Sequence, residues 1–373
     1  MTKFTTHNVG SSRDDQLLMW NLWWVKYAVM DLTTNPFYTD YIFYPHQVNL
    51  TFHALTFLNG IISIPLQYIM DIVTIYNLFY ILSFVLSGFG GFLLTKYFVK
   101  DWRAAFIGGI IFAVWRAPLR GNLGATQWMP LYILYLFKTL DSTKGYTRYA
   151  LIAGIMLGFN FLSEYYYFIM MAIFTIIAFV FYMVKKNVGA FRAVKKACLI
   201  SLFSIPFILP VMFFVIKVIL SGDTRKVPLS INGQNIVNSV VDLFGFFCPH
   251  PENPIIGRFS FSEYFTGLEN FAFVGISVIF FSAFGWLRSR KTDNMASFWL
   301  ISALVFVVLS LGPYPHILGR ELSVPLPFLL FRYIPSFDNL TIPSRFHILT
   351  MLHMSVLAGY GMRYILAKRR YLI

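Results

Sequence analysis

Of the 16 acidic side chains in this 373-residue sequence, only a few stand where their type and spacing could do chemistry. Glu164 lies between two apolar runs in FNFLSEYYYFIMM. A carboxylate at a membrane boundary is costly, which makes it a candidate for lining a substrate groove, with Tyr165 beside it. The plainer reading is a polar hairpin between two helices, flanked by an aromatic belt of Tyr165, Tyr166 and Tyr167. Asp14 and Asp15 follow Ser11 and Ser12, which are natural helix N-caps. Acids in a first helical turn also simply complement the helix dipole. Asp40, in NPFYTDYIFYPHQ, sits between Pro36 and Pro45 and reads either as a second acidic centre or as part of a turn. His46, directly after Pro45, could hydrogen-bond a hydroxyl or coordinate an ion, or be a solvated loop histidine.

Other chemistries find little support. Asp242, His250 and Glu252 in VDLFGFFCPHPENP are irregularly spaced for a metal and fit a proline-rich loop better. The two cysteines, Cys198 and Cys248, give neither metal-ligand spacing nor a disulfide framework. The sequence has no GxGxxG, Walker loop, HExxH or Ser-His-Asp spacing, which argues against a soluble nucleotide-binding fold. Asn49-Leu-Thr51 and Asn339-Leu-Thr341 fit a glycosylation sequon, a pattern common by chance.

The elements that would position these residues are membrane helices. With 57% hydrophobic and only 12% charged residues, a water-soluble globule is excluded. Nine apolar runs, near 74–96, 103–117, 126–140, 147–162, 166–184, 195–220, 269–287, 296–312 and 346–367, predict an all-α polytopic membrane protein with about nine transmembrane helices. Pro206, Pro210 and the Gly88, Gly90, Gly91 cluster are expected to kink helices or let them pack closely. The domain reading is an external first loop with interfacial helices over 1–72, then a transmembrane bundle over 73–373 with external loops 221–268 and 313–345.

Charge sets the orientation. Eighteen of the 30 basic residues, with only three acids, fall in short gaps on one face. The positive-inside rule makes that face cytosolic, with the C-terminus there and the long loops outside a cell membrane. The net +14 is thereby placed as +15 inside and −1 outside, which records orientation and gives no support to a nucleic-acid partner. The bilayer is the partner that composition implies. Residues 1–72 then lie outside without an apolar leader, so either an upstream membrane helix precedes this reading frame or the run 52–70 itself spans. His53, Asn59, Gly60, Pro65 and Gln67 favour an interfacial or re-entrant segment for that run. Asp14 to Met30 is free of Pro and Gly and carries Trp20, Trp23, Trp24 and Tyr27, which predicts a helix lying in the interface.

A resemblance sharpens this. DDQLLMWNLWW from Asp14, NPFYTDYIFYP (Asn35 to Pro45), NLFYILSFVLSGFGGFLL (Asn77 to Leu94), GATQWMPLYILYL (Gly124 to Leu136), SEYYYFIMM (Ser163 to Met171), VDLFGFFCPHPENPIIG (Val241 to Gly257) and IPSRFHILTMLHMSVLAGYG (Ile342 to Gly361) occur in that order over nearly the whole chain. Together they resemble multi-pass glycosyltransferases of the GT-C superfamily, in particular a large prokaryotic group of otherwise uncharacterised membrane proteins.

The resemblance implies an inverting enzyme that moves a sugar from a polyprenyl-phosphate donor to an acceptor on the outer membrane face. Asp14 matches the catalytic acid of the first external loop, as a base or as a ligand of a divalent cation such as Mg or Mn. Asp15 is a substitute or metal partner, but neighbouring helix residues point about 100° apart, so one of the two faces the site. Asp40 stands as the second acidic site and shares any metal role. Arg345, in IPSRF, is the first choice to meet the donor phosphate, with Arg332 and Arg116 behind it. Many relatives carry a second arginine where this chain has Thr341, which weakens the phosphate site. The alternatives are a non-catalytic lipid or polysaccharide transporter, or a truncated inactive remnant.

Overall fold

Each of the nine apolar runs becomes a helix, because a backbone in a dry environment must satisfy its own hydrogen bonds. The computed structural model describes residues 3–9, 14–51, 53–115, 125–185, 189–221, 239–251, 253, 255–260, 262–265, 267–333 and 342–369. Ser11, Ser12, Arg116, Glu252, Asn339 and Thr341 lie outside them. The chain forms two compact units, one of residues 1–90 and 119–229, the other of 91–118 and 230–373.

In the first unit, α1 (Asp14–Lys26) continues through a π-helical turn, Tyr27–Asp31. A short antiparallel hairpin of β1 (Tyr38–Thr39) and β2 (Val48–Asn49) follows, then α2 (Phe57–Ser63). Helix α3 (Ile72–Val99) starts in this unit, capped by Asp71, whose carboxylate accepts from the Thr74 N–H at 2.8 Å and the Thr74 hydroxyl at 2.6 Å. Four more helices complete it: α5 (Trp128–Asp141), α6 (Tyr146–Ser163), α7 (Tyr165–Lys185) and α8 (Ala190–Ser221). Helix α8 runs on through Pro206 and Pro210. A glycine seam draws α6 onto α8. A methyl added to Gly154 would lie 2.5 Å from Phe203 Cβ, and one on Gly158 2.5 Å from Phe207 Cβ. The spacing is the small-xxx-small pattern that lets membrane helices approach closely.

The second unit gathers α4 (Trp102–Trp115), α9 (Ile276–Ser289), α10 (Asn294–Ser310) and α11 (His347–Arg369), with α11 packed on the other three. Asp293 caps α10 by accepting from Met295 N at 2.8 Å and also receives the Tyr360 hydroxyl of α11 at 2.7 Å. A second small hairpin pairs β3 (His316–Ile317) with β4 (Arg320–Glu321).

Three helices among the described residues are long and apolar enough to cross a membrane: Ile72–Val99, Tyr165–Lys185 and Ala190–Val218. The expectation of nine full spans is corrected: α4, α5, α9 and α10 are too short, whereas α6 and α11, with 18 and 23 residues, are long enough but not apolar enough. Helices of 14 residues, such as α4, α5 and α9, rise only about 21 Å against a hydrocarbon core of about 30 Å. The run 52–70 does not span either, since α2 has 7 residues and is followed by a 3-residue turn, Leu66–Tyr68.

Candidate functional site

Helix α1 brings the first loop down onto the first unit. Leu18, Leu22, Trp24 and Val25 are buried on it, and Gln67 donates to the Leu22 carbonyl at 2.8 Å. Its aromatics stack along the helix, Trp20 on Trp24 with centroids 5.7 Å apart and Trp23 on Tyr27 at 5.0 Å. The Trp24 indole donates to the Pro36 carbonyl at 2.9 Å, which ties helix to hairpin. Around Trp24 a core of Phe37, Leu55, Phe161 and Val211 closes over the boundary between α6 and α7.

At that boundary the chain leaves α6 at Glu164 in extended conformation and re-enters a helix at Tyr165. A small cavity of about 20 Å³ is lined there by His53, Thr56, Ser163, Glu164 and Tyr165, with Phe37, Phe161 and Val211 as apolar wall. The Tyr165 hydroxyl donates to the Thr51 carbonyl at 3.0 Å, which holds the loop before α2 against α7. His53 Nε2 and Ser163 Oγ are buried with no hydrogen-bond partner among the described residues. Burial holds the His53 imidazole below the usual histidine range, so it is neutral at pH 7. Thr56 closes the cavity in left-handed backbone (φ 47°, ψ 49°). A β-branched residue pays for that conformation, and such strain collects at functional sites.

A carboxylate, a neutral imidazole and a hydroxyl around one space form a proton-handling arrangement. Sequence reasoning found Glu164 and Tyr165 but took His53 only as a residue disfavouring a span. The available signal was a lone histidine inside an apolar run.

A family model described as a domain of unknown function, DUF6311, matches residues 14–339. The chain belongs to that family. No curated protein and no solved structure matches it.

In this DUF6311 chain the remaining predicted residues lie elsewhere. Asp15 is the member of the acidic pair that turns inward, 1% exposed; it accepts from the Tyr76 hydroxyl at 2.7 Å and from Asn8 Nδ2 at 3.2 Å. Asp14 is partly exposed at the start of α1. Nine residues of helix, about 14 Å of rise, separate Asp15 from Trp24 beside the cavity. The structure therefore does not bring the acidic pair to Glu164. Asp40 and His46 are exposed on the hairpin, and the Tyr41 N–H after Asp40 bonds Thr39 Oγ1 at 3.1 Å, which is the turn reading. The neighbouring Tyr41 hydroxyl donates to Tyr27 at 3.1 Å, at the far end of α1 from Asp14, so Asp14 and Asp40 do not form one cation site. Among the described residues no three His, Cys, Asp or Glu side chains converge for a metal ion.

Arg345 lies in the second unit on the turn Pro343–Phe346 that opens α11. Next to it Ser344 donates to Glu269 at 2.8 Å. Arg332 is on the 3-10 segment Pro327–Tyr333, and Arg116 is outside the described residues. Asp242 is a structural latch, accepting from Phe244 N at 2.8 Å and Gly319 N at 2.9 Å. Asn49 is 4% exposed and accepts from Thr51 N, so that sequon is closed in the fold.

Proposed function

We propose that this protein is an integral membrane glycosyltransferase of the GT-C kind, taking a sugar from a polyprenyl-phosphate donor to an acceptor hydroxyl on the outer face of the cell membrane. The observation that carries the reading is the cavity of Glu164, His53 and Tyr165 at the end of a helix able to cross a membrane, under an aromatic first loop. Glu164 takes the proton of the acceptor hydroxyl as its oxygen attacks the anomeric carbon. The sugar–phosphate C–O bond breaks, its electron pair leaves with the phosphate, and the centre inverts. Neutral His53 holds the acceptor by a hydrogen bond. No step is routed through a metal ion, because Asp14 and Asp40 stand apart.

The test is transfer of radiolabelled sugar from a panel of polyprenyl-phosphate hexoses by the full chain in vesicles. Glu164→Gln is expected to lower turnover by about 10²–10⁴-fold, the usual contribution of a general base, with helical content unchanged. Full activity in Glu164→Gln together with loss in Asp14→Asn would overturn the assignment in favour of the start of α1. Transfer from none of the donors by the unmodified chain would overturn the reading itself.

A further inference from the structure

The ends of four helices meet at one place in the first unit. Lys196, near the start of α8, is buried and donates to the Leu140 and Ser142 carbonyls at the end of α5, at 2.8 and 2.9 Å. Its ammonium also stands 5.4 Å from the Tyr146 ring, at the start of α6. The Tyr182 hydroxyl, near the end of α7, donates to Asp141 on α5 at 2.9 Å. The ends of α5 and α7 and the starts of α6 and α8 are thereby fastened together.

Among the described residues of 138–149 and 182–196 there are seven bases and one acid, Asp141. Five of the bases are exposed: Lys144, Arg148, Lys185, Arg192 and Lys195. Neither α6 nor α8 brings an acid to its first turn. Lys138 stands 4.7 Å from the Tyr135 ring centroid and Arg148 4.7 Å from that of Tyr149, so part of the cost of ordering these long side chains is already met. Like charges gathered this closely repel, and a partner of opposite charge relieves the repulsion. Between the cations stand bare apolar side chains, Val184, Phe191 and Val194, which are 65%, 82% and 57% exposed. Both α7 and α8 are long and apolar enough to cross a membrane, so in a bilayer their joined ends lie at the depth of the lipid phosphates. A soluble polyanion would meet the cations and leave Phe191 and Val194 in water. A phospholipid meets both, its phosphate against the cations and its acyl chains against the apolar side chains.

We infer that the joined ends of α5, α6, α7 and α8 form a platform that binds the headgroups of anionic phospholipids, with Phe191 and Val194 dipping into the acyl layer. Arg192 and Lys195, three residues apart on α8, are its centre. This binding is independent of sugar transfer, and its test reads lipid contact alone.

Cys248 is buried and Cys198 exposed, so a thiol-reactive fluorophore attaches to Cys198 on α8, about 9 Å of helix rise from Arg192. The labelled full chain is placed in phosphatidylcholine vesicles with increasing brominated phosphatidylglycerol or brominated phosphatidylcholine. Quenching gives the relative affinity of the two lipids at that place. Phosphatidylglycerol is expected to bind about fivefold more tightly, the worth of one surface cation to one lipid charge. Arg192→Gln with Lys195→Gln is expected to bring the ratio close to one, and Arg192→Lys with Lys195→Arg to keep it. Arg288→Gln with Arg290→Gln, which removes two exposed cations at the end of α9, is expected to leave it unchanged, as is free glycerol phosphate in excess. Equal quenching by both lipids in the unmodified chain would overturn the inference. So would a preference that survives Arg192→Gln with Lys195→Gln, that is lost in the charge-preserving pair, or that the α9 pair lowers as much. Loss of the preference on adding glycerol phosphate would overturn it too, the ligand then being a soluble phosphate.

Discussion

Replacing Asp15 by asparagine separates a positioning role at the start of α1 from a catalytic one. The aspartate is buried, receives the Tyr76 hydroxyl on Oδ1 at 2.7 Å, and receives Asn8 Nδ2 on Oδ2 at 3.2 Å. Asparagine keeps the volume and one acceptor oxygen, but it loses the charge and sets an NH₂ against the Asn8 amide, two donors face to face. Hydrogen bonds to a charged group are worth about 1.5–3 kcal/mol, so Asp15→Asn is expected to cost about 2 kcal/mol. Tyr76→Phe removes the hydroxyl bond to Oδ1 and is expected to cost about 1.5 kcal/mol. Because the changes share that bond, the double variant should fall short of the sum by about 1 kcal/mol. The assay is unfolding of the full chain by graded SDS in mixed micelles, followed by helical circular dichroism. Costs that add to within about 0.3 kcal/mol would refute the shared bond. A sugar-transfer defect in Asp15→Asn far larger than in Tyr76→Phe would refute the positioning role.

Gly158→Ala puts a methyl 2.5 Å from Phe207 Cβ and is expected to destabilise by about 1–3 kcal/mol in the same assay, whereas Gly189→Ala, with nothing within 4 Å, should change stability little. A near-zero effect at Gly158 would mean the α6–α8 seam is looser than drawn. His53, held neutral by burial, has a folded pKa below its ordinary 6.5. The unfolded chain therefore binds the extra proton first. The His53 contribution is intact above pH 6.5 and is lost as pH falls below it. Stability measured from pH 7.5 down to 5 should decline less steeply in His53→Gln, and equal slopes in both chains would count against the buried assignment.

Much of this fold was legible in the sequence, and the reasons differ by element. The interfacial helix from Asp14 was read from the absence of Pro and Gly and from the spacing of its aromatics, and α1 with its π-helical turn covers Asp14–Asp31. Helices α3 to α11 were located because uninterrupted apolar runs have no other stable backbone in hydrocarbon. Their count as spans failed for two reasons: composition does not mark where a 14-residue helix stops short of the far interface, and the polar residues within α6 and α11 leave those longer helices less apolar than a span requires. Which of Asp14 and Asp15 turns inward depends on the rotational phase of α1 against Tyr76, sixty-one residues on, and that packing choice leaves no local mark. The same holds for His53, whose significance comes from lining the same cavity as Glu164, one assembled from four segments distant in the chain. Thr56 was invisible for a different reason, since a threonine gives no sequence sign of left-handed backbone.

The stack of Trp20 on Trp24, with rings 5° from parallel and only 5.7 Å apart, makes the first loop its own optical reporter. Two indoles so close couple their intense far-ultraviolet transitions and give a paired dichroism signal that isolated tryptophans lack. Both rings stand on α1, so the signal reports the integrity of that helix, and Trp24, bonded to Pro36 and buried over the α6–α7 boundary, ties the helix to the core. The folding of the helix that roofs Glu164 can therefore be followed on the unlabelled protein.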